Sequence, residues 1–444
     1  MTSTNRTTYY SIALLFVALV LTVPPAAALC QSLPNEAEQD PGAARTVTKI
    51  SIIGGHDVDR RLVLARFGVQ RGDPFDADTS ERGIERVAKL AGVESTFLRI
   101  LPDHDGGGVH LVIVISDAET RIMRPAISRY LTNDWSFGFR FEDSNFRGMD
   151  ERVKSLLLLG GATVVKASWL KPIFTENLRF GVGLAAGYEQ YDYPYPDYRR
   201  LLANDRIKRF QAAGRIRLNI TEFAHLSVLP GVDIIEVADT ISYDERVPAS
   251  PSGTFTTVEV VLSADLRDRH FYPSGGFIVK GGRKDWGVLQ SDTGMKNFLY
   301  WTEATGYLSL WRFIGVLHSR AVFTHGDVPL LLLNHLGGEG SIRGYDFGVF
   351  SGENSLLVTA ETRFPLNFED LDAPGNPLIL TDFHIFMDSG SCWSGTEGFD
   401  RELLHSGFGC GVNVMPGDRS LISIEYAWRL ETGGMWHVNA GFYF

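Results

Sequence analysis

From about residue 119 to its last residue the chain alternates between apolar and small or polar side chains. In MWHVNAGFYF (435–444), Trp436, Val438, Ala440, Phe442 and Phe444 fall on one side; Met435, His437, Asn439, Gly441 and Tyr443 fall on the other. LRFGVGLAAGYE (178–189) repeats the pattern, with Phe180, Val182, Leu184 and Tyr188 facing away from Arg179, Gly181, Gly183 and Glu189. FQAAGRIRLNI (210–220) gathers Gln211, Arg215, Arg217 and Asn219 on one face. LISIEYAW (421–428) sends Ile422, Ile424, Tyr426 and Trp428 outward and Glu425 inward. Successive side chains of a strand point to opposite faces, so the period of two predicts strands. About sixteen are expected, starting near residues 122, 135, 151, 163, 178, 208, 225, 254, 274, 297, 314, 354, 379, 404, 419 and 435.

An apolar face can be buried in a sandwich core or turned to lipid. Two features favour lipid. Tyr188, Trp311, Trp428 and Trp436 stand at predicted strand ends, where a membrane interface would lie, and the chain stops on Phe444 at the end of an alternating strand. Backbone polar groups in lipid must be satisfied internally, so the array is expected to close into an antiparallel barrel. The even number of strands fits tight connections such as WRFIG (311–315) and MPGD (415–418) on one side. Long polar ones, near 190–207, 238–253, 327–353 and 389–403, then fall on the other.

Ahead of the array the period changes. TVTKISIIGG (46–55) alternates as a strand. DRRLVLARFGV (59–69) and FDADTSERGIERVAKLAGV (75–93) have helical spacing, the second with Ile84, Val87, Ala88 and Ala91 on one face and Asp78 or Thr79 as cap. Strands follow at 94–103 and 109–117. The order β-α-α-β-β over 45–118 predicts a small α+β domain, three strands covered on one side by two helices.

The N-terminus adds a compartment. Arg6, the apolar run SIALLFVALVLTV (11–23), and Ala26 and Ala28 before the cleavage point predict a signal peptide over 1–28 and a flexible lead-in over 29–44. Cys30 raises lipid modification as a rival, which the bulky Leu29 disfavours. No later stretch is long and apolar enough for a spanning helix.

Composition mainly excludes. Of 444 residues 21% are charged, the formal charge is −11, and no basic stripe is visible, which argues against a nucleic-acid partner. Three cysteines are too few for a disulfide framework, although Cys392 and Cys410 could bridge in an oxidising compartment. GSIRG (340–344) and SGSCWSG (389–395) lack the spacing of a nucleophile elbow, and no phosphate-binding loop is present. GFGCGVN (407–413) lies on a strand, so its glycines read as small lumen or packing residues rather than a dinucleotide fingerprint. His270, His318 and His437 have no metal-ligand spacing and read as wall or interface residues. No enzymatic activity, metal or cofactor is expected. YDYPYPDYRR (191–200) reads as a solvated loop, with a partner- or sugar-binding role as the alternative.

One segment stands apart. GGEGSIRGYDFG (337–348) has five glycines in twelve positions around a single cation, Arg343. Together with DSNFRGMDERV (143–153), ADLRDRHFYPSGG (264–276), ETRFPL (361–366) and FMDSG (386–390), it resembles the barrel of the BamA/TamA-like family, the bacterial surface antigen superfamily. The segment 45–118 resembles the polypeptide-transport-associated (POTRA) domain in Ile50 and Ile52 before Gly54–Gly55, in GDPFD (72–76) and in the closing strand; a generic α+β module is the alternative.

The resemblance implies an outer-membrane barrel over 119–444 with a POTRA domain in the periplasm. It implies a sixth loop folded into the lumen, with motif residues Gly340, Gly344 and Tyr345. Arg343 would pair with Asp388, and with Glu361 as a second acceptor, either as a stability device or also as a means of positioning the seam. That seam joins the first strand to the last, which bears Trp436, Val438, Phe442 and Phe444. It further implies unfolded or extended polypeptide clients, outer-membrane lipid and other assembly-machinery subunits as partners. The work would be insertion or translocation. A plugged pore for one dedicated cargo, or a structural barrel acting through its outer loops, are the alternatives.

Overall fold

The structure is a computed structural model. It describes residues 45–103, 108–128, 134–174, 179–193, 205–221, 223–237, 252–269, 272–292, 294, 296–326, 328, 332–366, 379–395, 404–416, 421–429 and 433–440. The expected signal peptide (1–28), the lead-in with Cys30 (29–44), most of the loop 191–200, His270, Phe442 and Phe444 lie outside these residues.

The first described elements are β1 (Thr46–Gly54), α1 (Arg60–Phe67), α2 (Ala77–Ala88), β2 (Val93–Pro102) and β3 (Gly108–Asp117). Their sheet has the order β1–β3–β2, with β1 parallel and β2 antiparallel to β3. Val47, Val63, Phe67, Val87, Leu111 and Ile113 form its dry core against the helices. Helix α1 starts at Asp59, whose carboxylate accepts the Arg61 N–H, and stops at Gly68, where a φ of 77° suits glycine. Helix α2 is capped by Asp76, which accepts from Thr79 N, rather than by Asp78 or Thr79. The reason is geometric: only the extended Asp76 can turn its carboxylate back onto the first turn.

The remaining strands begin with β4 (Arg121–Ser128), β5 (Ser136–Phe146), β6 (Glu151–Gly160), β7 (Ala162–Phe174), β8 (Arg179–Tyr193), β9 (Asp205–Asn219) and β10 (Ala224–Val237). They continue with β11 (Gly253–Asp265), β12 (Gly276–Ser291), β13 (Asn297–Leu310) and β14 (Phe313–Gly326). After the short β15 (Asn334–Leu336) and β16 (Phe350–Gly352) come β17 (Asn354–Pro365), β18 (Ile379–Trp393), β19 (His405–Pro416), β20 (Ile422–Arg429) and β21 (Gly434–Ala440). Sixteen of these, all but β15 and β16, close into one barrel with antiparallel neighbours. Observed and expected starts agree to within a few residues because alternation breaks where each strand ends.

The alternation also sorts the faces. Trp436, at 63% exposure, and Ile424, Trp428, Leu184 and Ile216 point away from the barrel, while Glu425 and His437 are buried within. No described helix is long and apolar enough to cross a membrane; the strands supply the crossing. Trp311 and Arg312 alone join β13 to β14, and Trp311 carries a positive φ of 59° at that tight turn. Cys392 and Cys410 are both free. Cys392 Sγ lies 3.7 Å from Asn334 O on the lumen side, whereas Cys410 shares the outward parity of Phe408 and Val412. The barrel wall separates the two thiols, so the bridge that the sequence left open between them does not form.

Candidate functional site

The chain between β14 and β17 folds into the lumen. There β15 and β16 pair as a short antiparallel ladder, and the segment between them carries the arginine. Its tip is held by its own backbone: Gly338 N donates to Ile342 O at 3.2 Å, and Gly337 N to Ser341 Oγ at 3.1 Å. Ile342 is fully buried with Leu336, Tyr345 and Leu357. Two glycines are needed for different reasons. Gly340 has open space around it but a φ of 73°, so only its backbone conformation asks for glycine. Gly344 combines a φ of 94° with the Trp428 backbone 3.3 Å from where a Cβ would stand.

Arg343 is engaged on every side. Its Nε and Nη2 donate to the two oxygens of Asp388 at 2.7 and 2.8 Å, and its backbone N–H donates to the same carboxylate at 3.0 Å. Nη1 donates to Glu425 Oε1 at 2.9 Å and stands 3.6 Å from Glu361 Oε2. The Phe386 ring covers one face, 3.4 Å from the guanidinium carbon. Arg343, Asp388, Glu361 and Glu425 are all buried, so this is a fork-to-carboxylate pair in a poorly solvated setting. Gly344 N donates to His437 Nε2 at 3.1 Å, and Tyr345 Oη to Ser406 O at 3.4 Å. The loop thereby touches β18, β19, β20 and the last strand together.

The sequence expectation paired Arg343 with Asp388 and, second, with Glu361; both carboxylates are at the guanidinium, Glu361 at the longer distance. Sequence reasoning missed Glu425 as an acceptor, although its inward parity was visible. His384 was missed as well: its Nε2 lies 3.0 Å from Glu425 Oε1. The inward row Gly407, Gly409 and Gly411 of β19 accounts for the glycine run at 407–413. A Cβ at Gly407 would stand 2.0 Å from Arg343 O, one at Gly409 2.5 Å from the Phe386 ring, and one at Gly411 2.7 Å from Glu425 Cγ. The row hollows out the wall where the loop and its carboxylates pack. Trp436 faces outward and Val438 is half-buried on the last strand. At the seam the described residues pair β21 with β4 at Ala440 and Ile127.

A second constellation fastens the α/β unit to the barrel. The end of β5 presents Asn145, whose Nδ2 donates to Asp57 O at 2.7 Å and whose Oδ1 accepts from Asp150 N at 2.8 Å. Ala91 N donates to Asp150 Oδ1 at 3.0 Å, and Asp59 N to Gly148 O at 2.9 Å. Burial pushes the Asp150 carboxyl above its ordinary range, opposed by the Ala91 N–H. A raised folded-state value means that burial outweighs the Ala91 N–H and the Arg66 and Arg152 charges, so the folded arrangement around Asp150 is most stable below the ordinary carboxyl range and loses stability as pH rises through the raised value. Asp150→Asn, which keeps the acceptor oxygen for Ala91, is expected to abolish that loss; protease release of the α/β unit measured against pH checks it.

A closed sixteen-strand cylinder, apolar outside and polar within, corked by its own arginine-bearing loop, is an outer-membrane barrel. The chain belongs to the Omp85 superfamily: residues 128–444 match the Omp85 superfamily domain. Among solved structures it is similar to BamA from Haemophilus ducreyi lacking POTRA domains 1-3, at 16% identity, 90% coverage of this chain and 84% of that one, and a TM-score of 0.66. It is also similar to CdiB from Acinetobacter baumannii, at 14% identity, 89% and 73% coverage and a TM-score of 0.52. CdiB from Escherichia coli gives 14%, 89%, 76% and 0.56. At these identities the likeness is one of fold. No curated protein sequence matches the chain. Its family is one of protein transport rather than catalysis, and the protein is not an enzyme.

Proposed function

We propose that the protein inserts or translocates polypeptides at the outer membrane, residues 45–118 acting as a periplasmic POTRA domain and the β4–β21 seam as a lateral gate. The observation that carries this is the seam. β21 pairs along its length with β20, and β4 along its length with β5, but the two meet among the described residues only at Ala440 and Ile127. Pro125 in β4 supplies no N–H for further pairing. A seam with this little pairing among the described residues supports a reading in which its strand edges open to an incoming strand.

The α/β unit offers a receiving edge. Its β1 edge is already used: Val47 N donates to Asp73 O at 2.9 Å, Gly72 N to Val47 O at 2.8 Å, and Phe75 N to Arg45 O at 2.7 Å. The other edge, β2, carries exposed Phe97, Ile100 and Leu101. Strand addition of an extended client therefore falls to β2. Outer-membrane lipid surrounds the barrel, and other assembly-machinery subunits would bind the periplasmic unit.

The buried latch favours one other reading, a plugged pore for a dedicated cargo. The test is folding of urea-denatured barrel clients into vesicles containing the protein. Insertion predicts faster folding than in empty vesicles. No acceleration across several clients, with steady conductance that grows on deletion of 334–353, decides for the pore. Neither activity leaves a structural role for the outer loops.

A further inference from the structure

The wall opposite the latch carries the other sign of charge. In the sixteen-strand order, β9 lies eight strands from β19, across the lumen from the acids that hold Arg343. Phe210, Ile216 and Leu218 point outward from β9, so Arg215 and Arg217 point inward, at the end of β9 nearest the periplasmic unit. The ladders run Arg152 to Leu170, Leu170 to Gly183 and Gly183 to Arg215, which puts Arg152 of β6 in the same row as Arg215. That row spans three strand spacings, roughly 14 Å. Gly181 and Gly183 lie inward between the arginines, and Leu170 Cδ1 closes over them, 3.4 and 3.3 Å from where their Cβ atoms would stand. The result is a shallow trough floored by two glycines and the Leu170 side chain, with guanidinium sides.

Among the described residues this cationic set is only partly balanced, through the charge of Asp150 on Arg152. Other basic side chains on the same wall end on acids: Lys154 on Glu142, Lys166 on Glu189, Arg209 on Asp233. Among the described residues no carboxylate forms an ion pair with Arg215 or Arg217, and Arg152 has Asp150 only at longer electrostatic range. Arg217 Nη2 meets only a ring nitrogen, His225 Nδ1, at 2.7 Å, and Asp265, within electrostatic reach of His225, is held by Arg267 at 2.8 Å. The Nε atoms of Arg215 and Arg217 are buried with no hydrogen-bond partner. Arg152 and Arg215 both act on Arg217 as like charges. A protein of net charge −11 thus keeps three mutually repelling cations on one patch of its lumen.

We propose that this trough binds the carboxylate side chains of an extended acidic polypeptide segment entering the lumen from the periplasmic side. Arg215 and Arg217 are two residues apart on a strand, a rise of about 7 Å. Alternate side chains of an extended guest have that same spacing, so two carboxylates at i and i+2 meet two guanidinium forks in register. The trough lies on the inner face, and the lipid-facing positions beside it are Ile216 and Leu218, which takes it away from lipid headgroups. The acidic wall is met by the chain's own Arg343, Arg363 and His384; the basic wall is completed by the guest. This assignment rests on the polypeptide-handling reading above.

The experiment uses the full-length protein in detergent micelles. The probe is a fluorescent peptide alternating Glu and Thr over about twelve residues, long enough to cross the trough. A Gln–Thr peptide is its neutral counterpart. The Glu peptide is expected to bind at least about ten-fold more tightly than the Gln peptide, with affinity falling as salt rises. Arg215→Gln/Arg217→Gln should remove that advantage and leave Gln-peptide binding unchanged. Equal affinity for the two peptides overturns the proposal, as does an undiminished preference in the variant. Displacement of the Glu peptide by equimolar inorganic phosphate or phosphatidylglycerol also overturns it, because the site would then be a phosphate site. Should the double variant lose the heat-modifiable gel mobility of a folded barrel, the Glu, Gln and Lys peptides on the unaltered protein decide, a Lys peptide being expected to bind weakest. A protein that accelerates no client yet binds the Glu peptide through these arginines sinks the insertion reading and leaves the trough standing.

Discussion

Arg343→Ala is expected to unlatch the loop and leave the barrel poorly assembled. Removing the guanidinium strips the fork from buried Asp388 and one partner from Glu425, which keeps His384 at 3.0 Å, while Glu361 keeps Arg363 at 2.7 Å. Breaking a buried pair on one side costs about 3–5 kcal/mol because the remaining charge stays desolvated. The cost falls mainly on Asp388, because Glu361 and Glu425 keep Arg363 and His384. The loop also loses the contact with Phe386. The expected result is a large fall in the heat-modifiable folded fraction, with raised conductance in the molecules that do assemble. Asp388→Asn keeps the shape and removes one charge, and should show a milder form of the defect. Coupling is tested by the double variant: Arg343→Ala/Asp388→Asn should be no worse than Arg343→Ala alone. Additive defects would mean that the two residues act independently and that the pairing is incidental.

Gly407→Val is expected to produce the same defect without touching a charge. The first side-chain carbon would stand 2.0 Å from the carbonyl oxygen of Arg343, far inside contact distance, and both atoms belong to paired or pinned backbone. The loop must move, and the guanidinium then loses its fork on Asp388. Because the steric and electrostatic routes end at the same displaced loop, adding Gly407→Val to Arg343→Ala should change little. Gly306→Ala is the control, since nothing lies within 4 Å of the atom it adds and it should assemble normally. Normal assembly and conductance of Gly407→Val would show that the loop is not pressed against β19.

Much of this was legible because a strand reports its two faces at every second residue. Outward Trp436 and Ile424 and inward Glu425 and His437 follow from alternation alone. Arg343 drew attention by being the lone cation of a glycine-rich loop, and Asp388 through the resemblance of FMDSG to a family motif. Glu425 was visible as an inward acid and still not as a partner, because it lies two strands from Asp388 and sequence carries no register between strands. The helix cap moved from Asp78 or Thr79 to Asp76 for a related reason: capping depends on backbone angles, not on residue type alone.

Alternation and strand length by themselves determined the barrel, its approximate strand positions and which side chains face lipid, since each is a property of one strand and its solvent. Closure decided the rest. Wrapping sixteen strands into one cylinder set the cross-barrel register that gathers Asp388, Glu361 and Glu425 around Arg343. It put Gly407 under the loop backbone. It also gathered Arg152, Arg215 and Arg217, with no carboxylate paired to Arg215 or Arg217 among the described residues. Such contacts join residues far apart in the chain, and only the shear and circumference of the closed sheet specify them.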